Sequence, residues 1–463
     1  MLYSNHIITA ISTAPGIGGI AVIRVSGEGS ITFCDQVFRS ASGKKLADQK
    51  ANTLHFGSII NGKEILDEVL VSLFRAPHSF TGEEVVEISC HGSQYIQQNI
   101  LQLLISKGAS LAKPGEFTQR AFLNGKMDLS QAEAVADLIA SNSAAAHRMA
   151  ISQMRGGFSN ELSKLRSQLL QFASLIELEL DFSEEDVEFA DRTQLKELAA
   201  QVDAVISKLV ASFKYGNALK NGIPVALVGE TNVGKSTLLN VLLNDEKAIV
   251  SDVHGTTRDT IEDSVIINGI EFRFIDTAGI RDTSDTVEKL GIERTFKKIE
   301  QAAIVLWLVD GTQATEHIEW LTERITKLAA GKIILVFNKT DKISDEELDI
   351  LNHLFEQFEA ERVYISAKKK QNIERLEQAL LQTAKLPEIN QSDVIVSNTR
   401  HYEALQKALT SIQLVIDGLA NGLSNDLLAL DIRECMNHLG EITGQISNDE
   451  ILGNIFKNFC IGK

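Results

Sequence analysis

The sequence predicts an α/β plus α protein: an N-terminal α+β domain, a helical-bundle middle domain, and an α/β domain with a mostly parallel sheet inserted into the helical one. Three observations predict it. Apolar residues change period twice, from short β-rich runs to helical spacing near Asp128, and back to short apolar runs after Gly222. Pro15, Pro77, Pro114, Pro224 and Pro387 leave the stretches 115–223 and 388–463 free of that helix breaker. The 463 residues also exceed what one hydrophobic core serves, at about 100–200 residues per domain.

Composition excludes several classes. The balance of 44% hydrophobic and 23% charged residues is that of an ordered chain. No apolar run approaches the roughly 18 residues of a membrane span. Met1–Ser12 lacks the basic-then-apolar order of a signal peptide, so a cytoplasmic protein without a membrane partner is expected. Cys34, Cys90, Cys435 and Cys460 are too scattered for a disulfide framework or a zinc site. A net charge of -17 argues against broad clamping of a nucleic-acid backbone, DNA included, while leaving room for a local basic surface.

Along the chain, Ile20–Val25, Val69–Phe74 and Val85–Ser89 read as strands, with a helix near Gln94–Lys107. Ser130 and Glu133 fit a capping box ahead of Val135, Leu138 and Ile139. Leu162, Leu165, Leu169, Phe172 and Ile176 step by 3, 4, 3, 4, and Leu195, Leu198, Val202, Val205 and Leu209 repeat those steps. One apolar stripe per helix suits a bundle core better than a short coiled coil. Beyond Gly222, Val225–Val228, Phe272–Ile275, Ile304–Val309, Ile333–Phe337 and Val363–Ile365 are apolar throughout, as parallel strands covered on both faces are. After Pro387 a helix returns, with Leu405, Ile412, Ile416 and Leu419 on one face. The expected domains are 1–124, 125–220, 221–384 and 385–463, the second and fourth forming one helical body.

Val225–Val228 runs into Gly229-Glu-Thr-Asn-Val-Gly234-Lys235-Ser236 and then the helical Thr237–Leu243. Glycines let successive N–H groups turn toward phosphate oxygens, the helix N-terminus favours the anion, Lys235 reaches the outer phosphates, and the Ser236 hydroxyl suits Mg²⁺. Asp276-Thr277-Ala278-Gly279 follows an apolar strand, where a carboxylate holds the Mg²⁺ shell and a glycine N–H meets a γ-phosphate. Asn338-Lys339-Thr340-Asp341 ends another strand, and Asp341 suits the two donors of the guanine edge. Ser366-Ala367-Lys368 ends the next, offering N–H groups to the guanine oxygen. Each cluster alone also ends strands for turn reasons. In this order, at strand C-termini, they predict a P-loop GTPase.

These boxes resemble the translation-factor-related branch of P-loop GTPases. Gly255-Thr256-Thr257-Arg258-Asp259 resembles its switch I box, with Thr257 as Mg²⁺ ligand. Ile280 stands where Ras-like enzymes carry a water-orienting glutamine, so another group must complete the catalytic set.

The flanks narrow the resemblance. Ala21-Val-Ile-Arg24-Val-Ser-Gly27, Phe80-Thr-Gly-Glu-Glu-Val-Val-Glu87, His91-Gly92, Pro114-Gly-Glu-Phe-Thr-Gln-Arg-Ala-Phe-Leu-Asn-Gly-Lys126 and Phe459-Cys460-Ile461-Gly462-Lys463 resemble the MnmE (also called TrmE) family of tRNA-modifying GTPases, from Ile7 to Lys463. The resemblance implies a folate-binding, dimerising N-terminal domain, a helical domain and an inserted G domain. It implies a homodimer that works on tRNA in a heterotetramer with MnmG, an FAD-carrying protein. A 5-formyl or 5,10-methylene tetrahydrofolate would supply one carbon to C5 of the wobble uridine, leaving an aminomethyl or carboxymethylaminomethyl group.

By the same resemblance, Arg24, Glu87, Lys126 and Lys463 fall on the folate positions. From spacing alone, Arg24 and Glu87 read as surface strand residues. The nucleotide set becomes Asn232, Val233, Gly234, Lys235, Ser236 and Thr237, then Ser251, Asp252, Val253, His254, Gly255, Thr256 and Thr257, with the boxes above. Asn232, Ser251, Val253 and Thr256 fall on the K⁺ positions, where a fixed cation does the work of an arginine finger. Glu288, twelve positions after Asp276, falls on the water-activating glutamate; Lys235 and Thr257 complete the catalytic set.

Other signals are set aside. Gly16-Ile-Gly18-Gly-Ile-Ala21 formally reads as a dinucleotide motif, but a strand follows where a helix is required. Cys460-Ile-Gly-Lys463 does not suit prenylation. Cys460 reads as a reactive thiol or a packing residue. The acids between Glu177 and Glu188 read as a solvated helix end, with docking of a basic partner as the alternative. The competing function is a ribosome-assembly or regulatory GTPase, a nucleotide-switched binding module; such proteins usually carry a basic RNA-binding appendage, and none is evident in this acidic chain.

Overall fold

The computed structural model describes residues 6–181, 192–230, 232–243, 263–275, 299–312, 332–356, 360–386, 394–446, 449–457 and 459–462. They form two units: Met1–Ile139, Gln153–Asp203 and Lys407–Lys463 make the first, Ala140–Ser152 and Ala204–Gln406 the second. Among the described residues no helix is long and apolar enough to cross a membrane.

The first unit opens with β1 (Ile8–Ile11), β2 (Gly18–Ser26), α1 (Ser30–Cys34), β3 (Phe38–Ser40), β4 (Thr53–Asn61), β5 (Glu64–Phe74), β6 (Val85–Gly92), α2 (Gln94–Ser106), β7 (Ser110–Leu111) and α3 (Glu116–Leu123). The strands make a seven-stranded sheet, in the order β3-β4-β5-β6-β2-β1-β7. The period of two sorts each strand. Ala21, Ile23 and Val25 of β2, with Val86, Ile88 and Cys90 of β6, enter a core closed by Ile100, Leu103 and Leu104 of α2. Arg24 and Glu87 therefore take the opposite face, directly across from each other in the β2–β6 register. Residues 18–26 are strand, which removes the dinucleotide motif for the reason anticipated.

Helices follow: α4 (Leu129–Ala140), α5 (Ala144–Met154), α6 (Gly157–Asp181) and α7 (Arg192–Asn221). The cap of α4 differs from expectation. Ser130 lies inside the helix, and Asp128 does the capping. An Asp128 carboxylate oxygen accepts from the Gln131 N–H while the Gln131 amide oxygen accepts from the Asp128 N–H, both at 2.9 Å. The reciprocal pair is a capping box one register earlier, because aspartate serves as N-cap at least as well as serine. The Ser130 hydroxyl instead binds Asp128 and Ser159. On α6, Leu162, Leu165, Leu169 and Ile176 are buried as their spacing predicts.

The second unit continues with β8 (Ile223–Gly229), α8 (Lys235–Leu243), β9 (Asp263–Ile267), β10 (Ile270–Ile275), β11 (Ile304–Asp310), β12 (Ile333–Asn338), α9 (Asp345–Leu354), β13 (Glu361–Tyr364) and α10 (Ile373–Ala384). The six-stranded sheet runs β13-β12-β11-β8-β10-β9, parallel except where β9 meets β10. Val225, Leu227, Leu306 and Val336 enter one core, while Ala226, Val228, Val305 and Leu335 enter another on the opposite face. Two buried faces explain why these strands read as unbroken apolar runs.

The chain ends with α11 (Thr399–Ala420), α12 (Asn425–Thr443) and α13 (Asp449–Lys457). In the first unit α12 lies along α6, joined by an Arg433–Glu177 ion pair and by the Asn425 amide donating to Glu179. The acid run therefore starts inside a helix pair; its members from 182 onward lie outside the described residues. Leu129, Ala132, Leu452 and Phe456 make a small core that also gathers Ile455 and Phe459. Ile461 is exposed.

Candidate functional site

In the second unit, the described boxes, at Gly229–Ser236, Asn338–Asp341 and Ser366–Lys368, follow β8, β12 and β13 at the C-terminal edge of the parallel sheet, where open α/β sheets bind ligands. The loop from Gly229 to Gly234 needs its glycines for close approach. A Cβ on Gly229 would stand 2.5 Å from the Leu308 carbonyl oxygen, and one on Gly234 2.3 Å from the Asn338 amide nitrogen. Asn232 takes a left-handed conformation, φ 61°, at the exposed crest. Val233 is buried beneath it, while Ser236 and Thr237 are exposed in the first turn of α8. The Lys235 ammonium turns back into the loop, donating to the Gly229 carbonyl at 2.6 Å and the Glu230 carbonyl at 2.7 Å.

Asn338 is the strut between the Gly229–Gly234 loop and the Ser366–Lys368 loop. Its amide nitrogen donates to the Val233 carbonyl at 2.8 Å, and its amide oxygen accepts from the Ala367 N–H at 3.0 Å. Placed in the nucleotide set by its sequence box, Asn338 engages both ends of its side chain with protein. Asp341, three residues beyond Asn338, has one carboxylate oxygen accepting from the Ser366 hydroxyl at 2.7 Å. That hydroxyl, and after it the Lys369 ammonium at 3.5 Å, holds the Asp341 carboxyl below the usual carboxylate range against the opposing pull of burial. Lys368 is exposed. Lys339, also left-handed at φ 65°, sends its ammonium to Asp310 at 2.5 Å. Asp310 ends β11 and belongs to no box read from the sequence. The strand register brings it there, one strand over from Asn338.

This arrangement fits a guanine nucleotide with Mg²⁺: a backbone loop with no room for a Cβ at Gly229 or Gly234, a lysine within the loop, an exposed helix-start hydroxyl and an oriented carboxylate. Ser251, Asp252, Val253, His254, Gly255, Thr256, Thr257, Asp276, Thr277, Ala278, Gly279 and Glu288 lie outside the described residues. Of the K⁺ positions only Asn232 is described. Among the described residues no cluster of three or more His, Cys, Asp or Glu side chains is gathered as a metal site.

In the first unit, Arg24 and Glu87 form a forked ion pair. The Arg24 Nε and Nη2 lie 2.9 and 2.8 Å from one Glu87 oxygen. The guanidinium carbon sits 5.5 Å from the ring centres of both Phe80 and Phe117, a distance at which an aromatic face attracts a cation. Lys126 donates to the Pro77 carbonyl at 3.0 Å, and its stem packs close to Gly82, on the loop that carries Phe80. That loop is braced from below. Buried Arg120 binds Glu83 at 3.1 Å, Glu116 at 3.1 Å and the His6 carbonyl, satisfying charges that would be costly to bury alone.

The C-terminal tail comes to the same place. The Cys460 carbonyl accepts from the Gly115 N–H at 3.3 Å, and the Gly462 carbonyl accepts from the Ser12 hydroxyl at 3.0 Å and from Arg24 at 3.5 Å. The Cys460 thiol is exposed, whereas Cys34, Cys90 and Cys435 are buried, burial lifting their thiols above the usual range. Lys463 lies outside the described residues. Phe80 and Phe117 were visible in sequence only as parts of longer motifs.

The family described as GTP-binding protein TrmE N-terminus matches residues 7–126, and that described as MnmE helical domain matches residues 129–460. The tRNA modification GTPase MnmE of Bacteroides thetaiotaomicron is 60% identical over 98% of this chain and 99% of its own length. That of Flavobacterium johnsoniae is 56% identical over 98% and 99%. Among solved structures, a variant of Aquifex aeolicus Era aligns with 41% of this chain and 67% of its own, at 29% identity and a TM-score of 0.29. With both family descriptions matched in order and relatives of this identity along nearly the whole length, the chain belongs to the MnmE (TrmE) family.

Proposed function

We propose that this chain is a tRNA-modification GTPase that binds and hydrolyses GTP at Asn232–Thr237 and supports addition of an aminomethyl or carboxymethylaminomethyl group to C5 of the wobble uridine. The observation that carries the reading is the guanine end of the site. Asp341, oriented by Ser366, stands beside a residue, Asn338, that is itself tied to the phosphate loop. Guanine offers a carboxylate two adjacent donors, and adenine does not.

In this reading Lys235 exchanges its two loop carbonyls for outer phosphate oxygens. Ser236 and Thr257 would hold Mg²⁺, which neutralises phosphate charge, with Asp276 in its outer shell. Asn232, Ser251, Val253 and Thr256 would hold K⁺, which supplies a fixed positive charge, and Glu288 would orient the attacking water. These assignments rest on the family.

Arg24, Glu87, Lys126 and Lys463 would form the tetrahydrofolate site. A carboxylate suits the pterin edge, cations suit the glutamate tail, and the rings of Phe80 and Phe117 beside Arg24 favour a flat ligand. A homodimer through the N-terminal domain is supported by the exposed apolar side chains Ile20, Leu54, Phe56 and Leu70 on its sheet. The division at residues 124, 220 and 384, a cytoplasmic setting and an FAD-carrying MnmG-like partner in a heterotetramer complete the reading. The test is GTP against ATP turnover by the purified protein, with mass spectrometry of wobble uridines from cells lacking the gene. Unchanged C5 modification in those cells would move the assignment to a regulatory or ribosome-assembly GTPase.

A further inference from the structure

We infer that Asp310 is a positioning residue for the guanine base, acting through Lys339. The inference rests on the GTP reading of the site and extends it to a residue outside the sequence boxes. Asp310 is the last residue of β11 and pairs across the ladder with Asn338 of β12. One of its carboxylate oxygens is committed to the next turn, accepting from the Thr312 N–H at 3.0 Å and the Thr312 hydroxyl at 2.7 Å. The other takes the Lys339 ammonium at 2.5 Å. With one oxygen held, the carboxylate has a single orientation in which to receive the lysine.

Lys339 needs such a holder. It sits in a left-handed conformation between Asn338 and the short helical turn Thr340–Lys342 that carries Asp341. Its side chain is 29% exposed and that of Asp310 13%, so the pair is half withdrawn from water, where charge-assisted bonds count for more than on an open surface. A free lysine stem would sweep many rotamers. Tied at its far end, the stem becomes a fixed apolar wall next to the carboxylate that reads the base edge, the use to which amphipathic side chains are put at half-buried sites. A purine then binds without having to immobilise the lysine, which is how preorganisation raises affinity. The plainer alternative is that Asp310 merely closes the turn at Thr312, with Lys339 paired to it incidentally.

Asp310→Asn separates the two, because asparagine still accepts from Thr312 but has no charge for Lys339. The experiment measures mant-GDP affinity, and KM and kcat for GTP, in the full chain carrying Asp310→Asn, Lys339→Met or both, with Asp310→Glu as the charge-conserving variant. Asp310→Asn should weaken mant-GDP binding and raise KM about three- to tenfold with kcat nearly unchanged. Asp310→Glu should recover part of the loss, and Asp310→Asn should add nothing once Lys339 is methionine. Parental affinity in Asp310→Asn, or losses that multiply in the double variant, would overturn the inference. Should Asp310→Asn fail to fold, the same criteria apply to Asp310→Ser with and without Lys339→Met, because serine also lacks a charge for Lys339. Parental GTP turnover, measured alongside, tests the underlying GTPase reading separately.

Discussion

Gly462 lies against Ile11, so close that a Cβ on it would stand 2.3 Å from the Ile11 carbonyl oxygen, and its φ of 95° is one that side chains rarely adopt. The chain's last described residue is therefore built into the edge of the first strand, beside the Arg24–Glu87 pair. Chain ends usually fray unless something ties them down. Here Ser12, Arg24 and Gly115 do so.

Gly462→Ala should release the tail, since backbone strain of about 1–3 kcal/mol adds to the clash. Hydrogen exchange at residues 459–462 should rise, tetrahydrofolate binding and uridine modification should fall, and GTP affinity should stay parental. Retained modification with an undocked tail would separate the tail from the one-carbon chemistry.

Arg24→Lys keeps the charge but loses the fork to Glu87 and the flat face toward Phe80 and Phe117. Titration calorimetry with a tetrahydrofolate derivative should show at least about tenfold weaker binding, equivalent to about 1.4 kcal/mol. GTP turnover serves as the control that this change should not move.

Asp341→Asn should shift preference from guanosine to xanthosine nucleotides, because the carboxylate that meets two guanine donors becomes an amide. A hydrogen-bonding site of this kind discriminates by about 10⁴. The pH dependence carries a sign. The Asp341 carboxyl is held below the usual carboxylate range, first by Ser366, so it stays ionised through the ordinary value of about 4 and guanine recognition is lost only as pH falls through its lower value. Nucleotide affinity that collapses well above that value would contradict the assignment.

Asn338→Ala should behave unlike a base-contact variant. It leaves the Val233 carbonyl and the Ala367 N–H without their partner at a buried point, at a cost of about 1–3 kcal/mol. A lower Tm of the nucleotide-free protein and equal losses for GDP and GTP are expected.

Hydrolysis should be faster in KCl than in NaCl at equal ionic strength, and Asn232→Ala should erase the difference. Glu288→Ala should lower kcat by about 10²–10⁴ with nucleotide affinity nearly retained. Equal rates in the two salts would remove the cation from the catalytic set.

The chain's local chemistry determined by itself what depends on neighbours in sequence. The phosphate loop is legible because glycines, lysine and serine at set spacing directly after a strand leave few other structures. The parallel strands are legible because residues such as Val225 and Ala226 must both be apolar when each faces its own core. The stripe on α6 follows from helical period alone. Tertiary structure decided the rest. Sequence placed Arg24 and Glu87 in strands, but only the β2–β6 register set them opposite each other, and a slip of one residue would have sent one of them into the core. Asp128 rather than Ser130 caps α4 because two residues of similar capping strength competed, and the geometry with Gln131 chose. The meeting of Gly462 with Ile11, and of Lys339 with Asp310, joins positions whose approach depends on how whole strands and helices pack. No spacing rule reaches across that distance, because such contacts are settled by the burial of many other side chains at once.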